Sequence, residues 1–205
     1  MNAKQIAIIQ QLIERLLGKP FTPTSRVSLD WLVQTEAKFN ITLPSGYRDF
    51  LLQMGDQCPG PHGQLISLQQ ALDEYRIAPA TIQMLQQEFL AVEEYHPENE
   101  ALVVQAEEQV NSGKISSQQF DDLIAYYDVY FLGGTLNIAD LGCGYWIKLV
   151  VNGPTRGEVW QDDTAVDCGM HPLGLSFLDW YQSWLEKSLQ EQEKGRLHIT
   201  GNNNQ

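Results

Sequence analysis

The side chains best suited to chemistry in this 205-residue chain are three cysteines, four histidines and several close-set aspartates. Gly142-Cys143-Gly144 follows Asp140. A dinucleotide-binding loop needs a third glycine, a helix opening after it and a parallel strand before it. Ile147 stands at the third position and a strand-like apolar run follows. The spacing therefore predicts a tight turn between strands, where glycine tolerates positive φ. A nucleophilic Cys143 would need a basic group beside it to form thiolate. His62, His96, His171 and His198 lie in expected loops or the tail, with no recognisable pairing to it. Cys143 then reads as a small buried turn residue. Asp162, Asp163 and Asp167 lack the glycine and terminal glutamate of a calcium loop and read as a solvated loop. Asp121 and Asp122 fall on a helical stretch, where neighbours in sequence point along different faces. No acid–base pair, nucleophile or metal set emerges, which implies a non-enzyme without cofactor or metal. Cys58, Cys143 and Cys168 have no CxxC spacing, so reduced thiols in a cytoplasmic protein are the simplest reading.

Binding is the remaining possibility, and charge bears on it. Thirteen Lys and Arg face 26 Asp and Glu, a net −13. That excludes a nucleic-acid binder that relies on displacing counterions, and attraction to an anionic membrane. The excess is local. From Ile77 to Ile147 eleven acids face one lysine, Lys114, a net −10. The run reads either as a solubilising face or as a docking surface for a basic protein. In the second reading the partner-binding candidates are Glu93, Glu94, Glu98, Asp121, Asp122 and Asp128. Five tryptophans add possible anchors. Trp146 and Trp160 fall on one expected hairpin, but only its register decides whether they share a face.

The elements that must position these groups follow from periodicity. Hydrophobic residues make up 43% and charged residues 19%, enough to build a core in one domain. No apolar run approaches the roughly 20 residues of a membrane-spanning helix, and no signal-peptide core is present. Helices are expected over Met1–Gly18, from a Ser28 cap to Asn40, from Pro44 in a first turn to a Gly55 stop, and from Ser67. A loop is expected at Cys58–Gly63 and a short strand at Gln64–Ile66. Pro79–Tyr95 and Pro97–Val110 read as two more helices in an insertion over about 77–119. Strands are expected at Tyr127–Leu132, Thr135–Ile138, Tyr145–Val151 and Gly157–Gln161, the last two as a hairpin. A closing helix starts at Ser176, with Asp179 completing a capping box. Residues 1–189 form the expected single domain, and 190–205 a polar, flexible tail.

Several of these segments together resemble one family. Trp31 to Glu36 followed by Leu43-Pro44-x-x-Tyr47-x-x-Phe50-Leu51 resembles the N-terminal signature of the SUKH superfamily, the Smi/Knr-like domains. Ile138 to Gly144, the apolar strand after it, Asn152-Gly153 and Gly157 to Trp160 look like its central strands. Ser176-Phe177-x-x-Trp180-x-x-x-Trp184-Leu185 resembles its closing helix. The resemblance implies an α+β fold, with helices packed on a central, mainly antiparallel sheet, and no enzyme activity. It implies a bacterial immunity protein of a polymorphic toxin system, which neutralises a cognate toxin by direct binding. Toxins of this class are often basic nucleases, for which an acidic inhibitor is suited. A scaffold or regulatory interaction module unrelated to toxins is the alternative. Leu43, Pro44 and Tyr47 read as structural members of the signature.

Overall fold

A computed structural model describes residues 2–23, 27–73, 84–91, 97–123, 133–166 and 168–201. The N-terminal apolar spacing forms α1, Asn2–Leu17, which buries Ile6, Ile9, Leu12 and Ile13. Helix α2, Leu29–Phe39, starts where the Ser28 hydroxyl accepts the Trp31 N–H at 3.2 Å, and Asn40 closes it in a left-handed conformation. Helix α3, Ser45–Met54, begins one residue after Pro44, which takes the cap position instead of the first turn. A proline there also forfeits no helical hydrogen bond. Tyr47, Phe50, Leu51 and Met54 point inward, as their spacing predicts. The loop at Cys58–Gly63 holds a minimal hairpin of β1, Pro59–Gly60, and β2, Gly63–Gln64. The short strand expected at Gln64–Ile66 is thus displaced towards Gly63, while the Ile66 N–H donates to the Ile138 carbonyl. Helix α4 follows at Leu68–Asp73.

Among the described residues, four antiparallel strands make the central sheet, in the order β3 (Thr135–Gly142), β4 (Tyr145–Val150), β5 (Glu158–Asp162) and β6 (Met170–Ser176). Gly142, Cys143 and Gly144 all have positive φ, at 86°, 55° and 86°, and turn β3 into β4. This is the tight turn that the glycine spacing predicts. Cys143 is exposed, however, because the tip of so short a turn projects into solvent; the expectation of a buried thiol is corrected. Strand β6 is absent from the sequence reading because Pro172 and Gly174 interrupt it. It lies at the sheet edge, where a proline without N–H is tolerated.

One face of the sheet, with Leu136, Ile138, Ile147, Leu149 and Val159, packs with the helices into the main core. In the insertion, helix α5 spans Pro97–Asn111, close to the expected Pro97–Val110. The closing helix itself, α6, spans Phe177–Gly201. Ser176 and Asp179 form its capping box, at 2.7 Å between the side chains. Phe177 meets Tyr47 and Phe50 edge-on, at 4.8 and 5.0 Å between ring centroids. Helices α1 and α6 run side by side in parallel: Gln5 donates to Asp179 at 2.7 Å, and Arg15 pairs with Glu193 at 3.6 Å. These contacts carry α6 past Gln190, where the sequence reading begins its tail.

The other sheet face carries a smaller cluster of Phe89, Ala91, Val150, Trp160 and Met170. The helix expected over Pro79–Tyr95 is not continuous: of the described residues 84–91, only 84–86 are helical. Backbone bonding to the sheet overrides the helical period. Phe89 N–H donates to the Asn152 carbonyl, the Asn152 amide donates to the Gln86 and Gln87 carbonyls, and Gly134 N–H donates to the Met84 carbonyl. The segment is a strap across the end of the sheet. The expected strand Tyr127–Leu132 lies outside the described residues.

Candidate functional site

The acidic candidates divide into those that the structure places and those that it does not. Glu93, Glu94 and Asp128 lie outside the described residues. Glu98 sits in the first turn of α5, with only its backbone described. Asp121 and Asp122 are exposed on helical residues 117–123, as expected of a helical stretch. That helix is capped by Ser116, whose hydroxyl accepts the Gln119 N–H while the Gln119 side chain accepts the Ser116 N–H at 2.9 Å. Gln118 donates to Asp122 at 2.9 Å. Glu107 and Glu108, on the outer side of α5, and Glu88, on the strap, are exposed as well. Lys114 is exposed in the turn between the two helices. Glu88, Glu107, Glu108, Asp121 and Asp122 are thus solvated carboxylates, the last four on helical surface.

The signature residues do structural work. Glu36 accepts the Leu43 N–H at 2.9 Å with one carboxylate oxygen and pairs with Arg48 at 3.3 Å through the other. A helix-borne carboxylate thereby fixes the Leu43-Pro44 turn and the start of α3. Arg156, from the turn after β4, donates to the Thr42 and Leu43 carbonyls at 2.8 and 3.0 Å. Leu43 and Tyr47 are buried, in agreement with a structural reading of both.

Register settles the tryptophan question. Trp146 pairs with Asp162, and Lys148 with Trp160, so all four share the sheet face opposite the main core. There Lys148 and Asp162 form a buried ion pair at 3.3 Å, their side chains 5% and 4% exposed. Lys148 also donates to Asn137 at 2.8 Å, and Asp162 accepts the Thr164 N–H and hydroxyl. The solvated-loop reading of Asp162 is therefore corrected: a paired carboxylate can enter a sheet face that an isolated one cannot. The pair was missed because its members are 14 residues apart; the one signal was Lys148 inside an apolar run.

Of the three thiols, Cys58 is buried, and Cys143 and Cys168 are exposed. Burial, with the Asp56 carboxylate adding to it, pushes the Cys58 thiol up to about 12. Burial raises the Tyr47 and Tyr181 phenols as well, and Tyr181 donates to the Pro59 carbonyl at 2.6 Å. The His62 ring lies against the backbone of Gly142, a neighbourhood that sequence did not reveal. Among the described residues no three His, Cys, Asp or Glu side chains group as a metal site. No described helix is long and apolar enough to cross a membrane.

A model of the SMI1 / KNR4 family (SUKH-1) matches residues 26–183. The match spans every strand of the sheet, together with α2, α3 and the insertion. No curated protein and no solved structure matches the chain.

Proposed function

From the premise that this chain belongs to the SMI1/KNR4 (SUKH-1) family, whose members fit a protein-interaction role, we propose that it is a non-enzymatic immunity protein. It neutralises a cognate basic toxin, of nuclease type, by direct binding in the cytoplasm. The observation that carries this reading is the net −10 between Ile77 and Ile147, part of which lies on the exposed surface of α5 and residues 117–123. Glu93, Glu94, Glu98, Asp121, Asp122 and Asp128 supply charge to the contact. Such a surface attracts a cationic protein from a distance and competes with the nucleic acid that the protein would otherwise engage. Inhibition by occupancy needs no nucleophile, metal or cofactor.

The test mixes the purified chain with the product of an adjacent toxin gene. A stable complex forms, and nuclease activity falls in proportion to the chain added, reaching zero at equimolar amounts. Absence of a complex, or inactivation by a small fraction of an equivalent, contradicts the proposal.

A further inference from the structure

Helix α2 turns Leu32, Thr35 and Phe39 inward, yet Leu29 and Val33 remain 52% and 49% exposed on its outer side. Ala37, one further turn along, is exposed too. The three lie at i, i+4 and i+8, a stripe about 12 Å long at about 1.5 Å per residue. Single exposed apolar residues are ordinary, but a row along one helix face presents a continuous apolar strip that a partner can cover.

The stripe is self-complementary. In an antiparallel pairing of two α2 helices about a two-fold axis at Val33, bulky Leu29 of each copy meets the small Ala37 of the other. Val33 meets its own counterpart. Asp30 in the first turn and Lys38 in the last flank the same side of the stripe. In an antiparallel pair the same flank meets itself, so each Asp30 lies beside the other copy's Lys38. The helix dipoles oppose as well. An isologous contact requires such reciprocity, residue i with j and j with i. We propose that the α2 face is a homodimer interface and that its occupant is a second copy of this chain. Glu36, on the other flank, is occupied by Leu43 and Arg48 and stays clear of the pairing.

Because Val33 lies on the axis, charge at that position gives a specific test, read by sedimentation equilibrium of the full chain over a concentration series. The wild type associates to a dimer. Val33→Glu and Val33→Lys each place like charges face to face and weaken self-association by at least about 100-fold. An equimolar mixture of the two variants restores the dimer. A single cooperative thermal transition confirms that each variant folds. A monomeric wild type, a dimer that survives Val33→Glu, or variants that fail to associate when mixed would overturn the proposal. Loss of toxin binding in Val33→Glu from a monomeric wild type would overturn it likewise and assign the face to the toxin. The sedimentation measurement uses this chain alone, so its outcome is independent of the immunity reading.

Discussion

Lys148 sits in the middle of the most apolar strand, and only its partners make that position tenable. Removing one member of a buried ion pair strands the other, so Lys148→Met should cost about 3–5 kcal/mol in urea titration. The double variant with Asp162→Asn should cost less than the two single changes added, as coupled residues do. Additive losses would show that the two groups act separately. Thiol accessibility gives a second residue-scale prediction. Cys143 and Cys168 are exposed and Cys58 is buried with a raised pKa. A thiol reagent at mildly alkaline pH should therefore label two groups rapidly and the third only on unfolding. Rapid labelling of all three in the folded protein would contradict the packing at α3. Asp179 supplies a pH prediction. The Ser176 hydroxyl, followed by Gln5, holds its carboxyl below the ordinary aspartate value. Its contribution is therefore present above that value and lost as pH falls through the lowered folded value. Asp179→Asn should flatten the acid limb of the stability profile and leave neutral pH less stable than wild type; an unaltered acid limb would contradict this.

Elements with local signals were legible in the sequence. Ser28, Asn40, Gly55 and Ser176 mark helix ends through their own hydrogen bonds or φ angles, and the inward stripe of α3 is a matter of spacing alone. The strap and β6 were not legible, because their backbone partners are distant. Phe89 leaves its helical period to bond Asn152, 63 positions away in sequence. Glycine makes that approach possible. A Cβ on Gly153, at φ +117°, would stand 2.5 Å from the Phe89 carbonyl oxygen. On Gly18, at φ +65°, it would meet nothing within 4 Å. Gly18→Ala should thus cost about 1–2 kcal/mol, and Gly153→Ala about 3 kcal/mol or more as the strap is forced off the sheet. Hydrogen exchange checks the cause. The Phe89 amide should lose protection in Gly153→Ala and keep it in Gly18→Ala; equal protection in both would remove the strap from the account.

At the scale of the whole molecule, the α+β fold and the SUKH superfamily were readable because the signature pieces occur in order along the chain. The proposed partner surface rests on a charge balance alone, since solvated acids leave no packing pattern to compare with a structure. The central claim is that this charge steers a basic toxin. Stopped-flow association with the cognate toxin, over a salt series, tests it most directly. Exposed charges are screened as the Debye length contracts from about 10 Å at 0.1 M to about 3 Å at 1 M salt. The wild type should associate more slowly as salt rises. Reversal of Glu107, Glu108, Asp121 and Asp122 to Lys should slow association and flatten the salt dependence, with a smaller effect on dissociation and little on stability. An association rate that is indifferent to salt and to all four reversals would contradict the claim.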